Sequence, residues 1–283
     1  MLQQTGELED PARFLCQGLH FDFLGLVGQG GFKETYKVTT SDSRTLALKI
    51  FKPESNVDRN LREIEALSTC ENEYIARMIN NGTFTFNNEN YQYIVEEFYF
   101  GGTLIDRLTA NQILGEEVTF NLGTKLLKAL ICLGDFGYVH RDIKPTNILF
   151  RDETFEKPIL TDFGIVRFLG EESLTATYYM SGPGTPGYAS PEQMNNEKNL
   201  IDWRTDQFSL GIMLSICSYG IHPYGENNVA QNIAERKPLF KPFLEKIKQN
   251  KLTILAKMVQ AWPSYRYNSR ELLIKEWINQ WEE

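Results

Sequence analysis

Residues that build metal and redox sites are scarce in this chain. Its 283 residues include four cysteines and three histidines. The cysteines are Cys16, Cys70, Cys132 and Cys217, which lie far apart and form no C-x-x-C pair. This spacing predicts neither a structural zinc site nor a disulfide framework, and a reducing cytoplasm is the simplest location.

Long apolar runs and an excess of positive charge are missing as well. No stretch approaches the roughly 18 consecutive apolar residues of a transmembrane helix, so we expect no membrane span. Residues 1–10 are polar and acidic, unlike the basic and apolar start of a signal peptide. The net charge of −8 argues against nonspecific nucleic-acid binding, and we expect no nucleic-acid partner.

The most informative stretch, residues 138–164, contains Y-V-H-R-D-I-K-P-T-N-I-L and, after it, T-D-F-G. It supplies the carboxylates of Asp142 and Asp162, with Lys144 and Asn147 between them. Phosphoryl transfer needs such groups, because its catalysis consists of positioning a hydroxyl and neutralising charge on phosphate oxygens. Each short motif alone is typical of a turn or a capped loop, but the combination indicates catalysis.

These motifs resemble those of eukaryotic-like (Hanks-type) serine/threonine protein kinases, in a style closer to the bacterial members, and the resemblance spans about residues 21–277. It implies an α+β, bilobal protein-kinase-like fold, with an N-lobe of antiparallel sheet plus one helix and a larger, mostly helical C-lobe. With 42% hydrophobic residues the chain can bury such a core. The implied boundaries are a leader at 1–20, the N-lobe at 21–97, the hinge at 98–102 and the C-lobe at 103–283.

The resemblance also implies roles in the chemistry. Asp142 would accept the proton of the substrate hydroxyl, and Lys144 would meet the transferring phosphoryl group. Asn147 and Asp162 would hold Mg²⁺, for which Mn²⁺ can substitute. ATP would be the phosphoryl donor.

A glycine turn is the first part of the implied nucleotide site. A predicted strand at 21–27 leads into Gly28 and Gly30, where backbone N–H groups can approach phosphates. The family's loop continues with a glycine and a valine, for which this chain has Lys33 and Thr35. Lys33 either leans over the phosphates or points into solvent, and the solvent orientation is favoured. The implied nucleotide contacts are Val27, Gly28, Gly30, Phe32, Thr35, Ala47, Lys49, Leu149 and the backbone of Glu97 and Tyr99.

Lys49 and Glu63 complete the implied catalytic set. The predicted strand 45–51 places Ala47 and Lys49 on one face, so that a small residue clears space for adenine while the lysine reaches the α- and β-phosphates. Glu63 lies on the next predicted helix and would pair with Lys49 across the cleft. Glu65 on the same helix is the alternative partner.

Glu96 departs from the family's pattern. It follows a hairpin predicted at 82–95 and falls at the gatekeeper position behind the adenine, which is usually apolar. A carboxylate there is costly unless it finds a partner or a proton, and Lys49 is the nearest candidate. We hypothesise that a Glu96–Lys49 pair holds an inactive resting state.

Three residues of the C-lobe have implied structural roles. A long helix is predicted around residues 120–133 from its apolar stripe. Glu192, in S-P-E, would form a buried ion pair with Arg266. Asp206 would brace the backbone of the catalytic loop from beneath.

Specificity and regulation are implied by the segment between D-F-G and S-P-E. Lys144 and Thr185 match positions typical of serine/threonine enzymes, and Arg141 marks the type whose activation segment is ordered by a phosphate. Thr175 or Thr177 is the favoured phosphosite, and a homodimer would allow autophosphorylation in trans. The alternative is that these hydroxyls only make the segment polar.

Two other functions compete with a protein kinase. A pseudokinase-type scaffold would bind nucleotide or partners with little catalysis, and the presence of every expected catalytic residue argues against it. A small-molecule kinase would carry H-G-D rather than H-R-D. The sequence therefore favours protein substrates.

Overall fold

A computed structural model describes residues 6–111, 113–163, 167–168 and 187–282. The N-lobe is built on five strands: β1 Phe21–Gln29, β2 Lys33–Thr40, β3 Thr45–Phe51, β4 Met78–Phe86 and β5 Glu89–Glu97. They form one antiparallel sheet in the order β1-β2-β3-β5-β4. The predicted hairpin is longer than expected at both ends, and Asn87 and Asn88 form its tip with positive φ angles of 49° and 65°, as a tight hairpin turn requires.

The strand β2 separates two environments. Its residues alternate between buried and half-buried positions, because successive side chains of a strand point to opposite faces. Glu34, Tyr36 and Val38 are buried on one face. Lys33 and Thr35 lie on the other face, which lines the cleft between the lobes.

The segment predicted as a leader contains a helix, α1, at Glu9–Leu19. Its residues Ala12 and Leu15 are buried against the sheet and belong to the N-lobe core. The buried carboxylate of Glu34 accepts a hydrogen bond from the backbone N–H of Leu8 at 2.9 Å. This contact satisfies a backbone donor at the start of the helix. The N-lobe thus has a helix that the sequence pattern did not predict.

The predicted N-lobe helix is α2, Val57–Thr69. It begins after Asn56, whose side chain accepts a hydrogen bond from the N–H of Arg59 at 3.0 Å, as a helix cap does. Its buried side carries Asn60 and Glu63, which both line the cleft. The helix therefore presents a carboxylate to the site rather than to solvent.

The C-lobe is mostly helical, and the predicted helix at 120–133 is a longer one, α4. The helices are α3 Leu104–Asn111, α4 Glu116–Asp135, α5 Pro191–Met194, α6 Trp203–Tyr219, α7 Val229–Ala234, α8 Lys241–Lys248, α9 Leu255–Met258 and α10 Arg270–Glu282. Four short strands also belong to the C-lobe: β6 Tyr138–Val139, β7 Ile148–Phe150, β8 Pro158–Leu160 and β9 Arg167–Phe168. Throughout the described ranges, every helix is too short or too polar to span a bilayer.

The core of the C-lobe forms where α4, α6 and α10 meet. Gly123 of α4 allows this close approach, because an added Cβ would lie only 2.3 Å from the ring of Trp277 on α10. Trp277 and Phe208 are among the largest fully buried side chains. The packing of α6 in this core fixes the position of its first turn, which contacts the catalytic loop.

Candidate active site

A cleft of about 630 Å³ lies between the sheet and the C-lobe. The structure brings all ten residues of the predicted nucleotide contacts to its walls: Val27, Gly28, Gly30, Phe32, Thr35, Ala47, Lys49, Glu97, Tyr99 and Leu149. The predicted catalytic residues also line it: Lys49, Glu63, Asp142, Lys144, Asn147 and Asp162. Residues far apart in sequence thus converge on one space.

The catalytic loop is closed by contacts to Asp142. Its Oδ2 accepts hydrogen bonds from Lys144 Nζ and from Asn147 Nδ2, both at 2.9 Å. Asn147 Nδ2 also donates to the backbone carbonyl of Asp142 at 2.8 Å. A 3₁₀ turn at Pro145–Asn147 brings the amide back toward Asp142. These bonds hold the carboxylate in one orientation.

Asp206 supports this loop from beneath, as predicted. It lies in the first turn of α6 and is buried. Its Oδ2 accepts the backbone N–H of His140, and its Oδ1 accepts that of Arg141, each at 2.7 Å. Arg141 has a φ of 71°, which non-glycine residues rarely adopt, so the two hydrogen bonds stabilise a strained backbone.

His140 links the catalytic loop to the strand that precedes D-F-G. Its Nε2 donates to the carbonyl of Thr161 at 3.1 Å, and its Nδ1 accepts the N–H of Asp142 at 3.2 Å. These contacts define a neutral tautomer. Burial lowers the pKa of His140 to about 4, against the opposing charges of Asp142 and Asp162.

Asp162 lies in the cleft with a positive φ of 66° and a half-buried side chain. Its Oδ1 is 2.7 Å from Lys33 Nζ. Desolvation raises the pKa of Asp162, but the ammonium groups of Lys33 and Lys49 outweigh it and hold the pKa well below its usual range. The carboxylate is therefore ionised.

The prediction that Lys33 points into solvent is wrong. Its ammonium group is buried, forms a hydrogen bond with Glu63 Oε1 and lies beside Asp162. Desolvation lowers the pKa of Lys33, but these two carboxylates raise it well above its usual range. The reason for the orientation is the strand period, which places Lys33 on the cleft face beside Thr35.

Lys49 has a different partner from the one predicted. Its Nζ lies 2.8 Å from both carboxylate oxygens of Glu96 and 3.1 Å from Thr161 Oγ1. Among the described residues no ion pair joins Lys49 to Glu63, because Glu63 bonds to Lys33. The Glu96–Lys49 contact that we hypothesised is present, and Glu96 is only 2% exposed.

Side-chain contacts hold the hinge to its neighbours. The hydroxyl of Tyr99 accepts the backbone N–H of Arg77 at 2.9 Å. The carboxylate of Glu97 lies 3.3 Å from Arg151. Gly101 lets the chain pass closely, because an added Cβ would lie 2.2 Å from the carbonyl oxygen of Asp152. These contacts fix the hinge backbone where the adenine is expected.

The buried ion pair predicted in the C-lobe is confirmed. Arg266 Nη1 and Nη2 donate to the two carboxylate oxygens of Glu192 at 2.6 and 2.9 Å. Both side chains are fully buried. The predicted activation-segment residues Thr175, Thr177 and Thr185 lie outside the described residues.

Sequence reasoning did not assign two contacts of the cleft. One is the bridge made by Lys33, for which the alternation of β2 was the available signal. The other is the contact between Arg59 and Phe32, whose guanidinium carbon lies 3.6 Å from the ring centroid. This contact attaches the glycine turn to α2, and local sequence patterns contain no signal for it.

Comparison with known families decides the identity of the fold. The protein kinase domain family matches residues 21–278. The chain belongs to the protein kinase family. It is 32% identical over 267 residues to a probable serine/threonine-protein kinase of Clostridium perfringens, covering 91% of this chain and 38% of that protein. It is 30% identical over 274 residues to another of Streptomyces coelicolor, covering 93% and 40%.

A solved structure shares this fold. The crystal structure of Rad53 in complex with AMP-PNP matches with a TM-score of 0.71 and 25% identity, covering 91% of this kinase chain and 65% of that one. The kinase chain spans about two fifths of the length of the two bacterial relatives. The fold expectation, a sheet-based N-lobe and a helical C-lobe, is therefore confirmed.

Proposed function

We propose that this protein is an ATP-dependent serine/threonine protein kinase. The observation that carries the proposal is the network in which Lys144 and Asn147 orient Asp142 at 2.9 Å. The same cleft contains Asp162. This set provides a base for a hydroxyl, a cation for a phosphoryl group and oxygen donors for a metal.

Asp142 is the proton acceptor in this proposal. Its described contacts engage Oδ2, so Oδ1 is the oxygen available to a substrate hydroxyl. The hydroxyl oxygen forms a bond to the γ-phosphorus while the bond from that phosphorus to the bridging oxygen breaks. ADP leaves with the electron pair, and the proton passes to Asp142. Lys144 neutralises charge on the transferring group.

The donor set of the cleft fits Mg²⁺. Asp162 offers an ionised carboxylate, and Asn147 offers its amide oxygen Oδ1, since its Nδ2 is bonded to Asp142. Mg²⁺ takes one or two protein oxygens plus substrate phosphates, and Mn²⁺ can substitute. When bound, the metal supplies positive charge to the β- and γ-phosphate oxygens.

Adenine binding in this proposal uses apolar walls and hinge backbone. Val27 and Ala47 contribute the upper wall and Leu149 the lower one, and all three line the cleft. Backbone groups of Glu97 and Tyr99 supply the hydrogen bonds. The hinge contacts described above support this assignment because they hold that backbone in place.

Protein serine and threonine hydroxyls are the proposed acceptors. Lys144 beside Asp142 supports this choice, and two bacterial relatives are named as probable serine/threonine-protein kinases. Autophosphorylation at Thr175 or Thr177 in a homodimer, with Thr185 supporting the acceptor side, belongs to the same proposal. So do a cytoplasmic location and the absence of a nucleic-acid partner.

Phosphate transfer from radiolabelled Mg-ATP tests the function. The purified chain is assayed on itself and on a serine/threonine peptide library, followed by phosphoamino-acid analysis. We expect Asp142→Asn and Asp162→Ala to reduce transfer about 100-fold or more. Asp22→Asn, on the exposed side of β1, is the matched carboxylate control and should behave as wild type. A wild-type rate no higher than that of Asp162→Ala would instead indicate a pseudokinase-type scaffold.

A further inference from the structure

Lys33 occupies a central position among the charges of the cleft. Its Nζ bonds to Glu63 on α2 and lies 2.7 Å from Asp162 in the C-lobe. An ammonium group has three N–H donors, so two carboxylates leave one donor for a further acceptor. A phosphate oxygen entering the cleft beside Asp162 would meet that donor.

The strand register places Lys33 nearer to the glycine turn than Lys49. In the β2–β3 ladder Thr35 lies opposite Lys49, and Lys33 lies opposite Phe51. Opposed residues of an antiparallel pair share a face. Lys33 is therefore two residues, roughly 7 Å, beyond Lys49 on the cleft face, toward the turn at 28–31 where the phosphates are expected.

Lys49, in contrast, is engaged by a buried carboxylate and a hydroxyl. Both oxygens of Glu96 lie 2.8 Å from its Nζ, and Thr161 Oγ1 lies at 3.1 Å. To reach Glu63 or a phosphate, Lys49 would have to leave a carboxylate that is 2% exposed. An unpaired carboxylate in such a place is strongly unfavourable.

The two departures from the family's pattern match each other. The chain has a carboxylate at the usually apolar gatekeeper position and a lysine at a usual glycine of the loop. Glu96 engages Lys49, and Lys33 engages the carboxylate of Glu63 that Lys49 would otherwise contact. The cleft therefore has one additional charge of each sign, and both are paired.

On this basis we propose that Lys33, rather than Lys49, is the catalytic lysine that contacts the nucleotide phosphates. The proposal rests on the proposed kinase function. In the described arrangement Lys33 bridges Glu63 and Asp162. With nucleotide bound, Lys33 keeps Glu63 and exchanges Asp162 for phosphate oxygens, which frees Asp162 for the metal. Lys49 stays with Glu96 behind the adenine.

Comparison of Lys33→Met with Lys49→Met tests this assignment. We expect the loss of kcat/KM for ATP in Lys33→Met to exceed the loss in Lys49→Met at least tenfold, mainly through kcat. A smaller margin, or the reverse order, overturns the proposal and leaves the kinase function standing. If the wild type transfers no phosphate, the proposed kinase function is wrong. The dissociation constants of Mg-AMP-PNP for the two variants then show which lysine contacts the phosphates, by the same tenfold criterion.

A second variant separates catalysis from folding. Lys33→Met leaves the buried Glu63 without its partner, so the variant can lose stability. Lys33→Met combined with Glu63→Gln removes that charge. We expect this double variant to unfold near the wild-type temperature and to be at least tenfold less active than Glu63→Gln alone. Equal activity of the folded double variant and Glu63→Gln would show that Lys33 has only a structural role and would overturn the proposal.

Release of Lys49 provides a gain-of-function test. Lys33→Gly restores the family's residue in the loop, and we expect it to be inactive because Lys49 is held by Glu96. Adding Glu96→Met frees Lys49 to pair with Glu63, and activity should rise at least tenfold over Lys33→Gly. No gain in a folded double variant would contradict the claim that Glu96 withholds Lys49.

Discussion

Lys49 Nζ lies 2.8 Å from the carboxylate of Glu96, and both side chains are buried behind the expected adenine site. The pair joins adjacent strands, since Ala47 lies opposite Glu96 and Lys49 opposite Ile94 in the β3–β5 ladder. A gatekeeper carboxylate is tolerated here because a lysine neutralises it. The same contact removes Lys49 from Glu63.

We predict strong coupling between Lys49 and Glu96 in folding. Lys49→Met or Glu96→Met alone leaves one buried charge and should lower the free energy of unfolding by about 3 kcal/mol. The double variant should lose less than the sum of the two, because both charges are gone. Urea denaturation of the wild type, the two single variants and the double variant measures this coupling as a double-mutant cycle. Additive losses would mean that the two side chains do not interact.

We expect a large loss of stability when the ion pair of Glu192 and Arg266 is broken. Arg266→Met leaves a fully buried carboxylate and should cost about 3–5 kcal/mol in the free energy of unfolding. The matched control is Arg270→Met, whose partner Asp135 is 56% exposed and should contribute less than about 1 kcal/mol. Equal losses in the two variants would contradict this account.

We expect Asp206 to affect catalysis although it does not contact the substrate. Asp206→Ala removes the acceptor for the N–H groups of His140 and Arg141. The loop that carries Asp142 should then shift, and kcat should fall about 100-fold, as small misplacements of catalytic groups do. The KM for ATP should change little, because the adenine site is on the hinge. Steady-state kinetics with varied ATP separates the two parameters.

Because the pKa of buried His140 is lowered, we expect it to make the stability of the protein depend on pH. Its pKa is about 4 in the folded protein and near 6.5 in an unfolded chain. Between these values the unfolded imidazole binds more protons, so the contribution of His140 to stability should fall as the pH drops from about 6.5 to 4, by at most about 3 kcal/mol. Asp206 acts in the opposite direction, because burial raises its pKa to about 7 and its carboxyl binds more protons in the folded state over this range. The measurement is metal-free urea denaturation at several pH values. The free energy of unfolding of the wild type minus that of His140→Gln should decrease as the pH drops over this range, and a constant difference would exclude a contribution from the titration of His140.

We expect the helix α1 to contribute to the stability of the N-lobe. Leu15 is 6% exposed and packs on the sheet, so Leu15→Ala should cost about 2–5 kcal/mol. Gln17 on the exposed side of the same helix is the control, and Gln17→Ala should be near neutral. The midpoint temperatures of thermal unfolding of the two variants are compared. Equal midpoints would mean that the helix does not stabilise the N-lobe.

Local patterns were sufficient to predict the catalytic loop. Asp142, Lys144 and Asn147 lie within one short loop, so the turn that joins them depends on neighbouring residues. The strand at 45–51 was predicted with its observed bounds for a similar reason, since its β-branched and apolar residues and flanking loops define it. The Glu192–Arg266 pair also followed from the resemblance to a known family.

The pairing of charges in the cleft could not be read from local patterns. The contacts of Lys33 involve β2, α2 and the D-F-G segment, which come together only in the folded protein. The choice between two lysines for Glu63 depends on where Glu96 lies. The helix α1 was missed because its inward residues acquire meaning only against the sheet that they cover.

The most direct test of the role of Lys33 is a crystal structure of the protein with magnesium and AMP-PNP. We expect Lys33 Nζ to lie within hydrogen-bonding distance of a phosphate oxygen and of Glu63, while Lys49 remains beside Glu96. We also expect a metal ion bound by Asp162 and Asn147. Phosphates contacted by a Lys49 that is paired with Glu63, or a cleft that takes up no nucleotide, would contradict this role of Lys33.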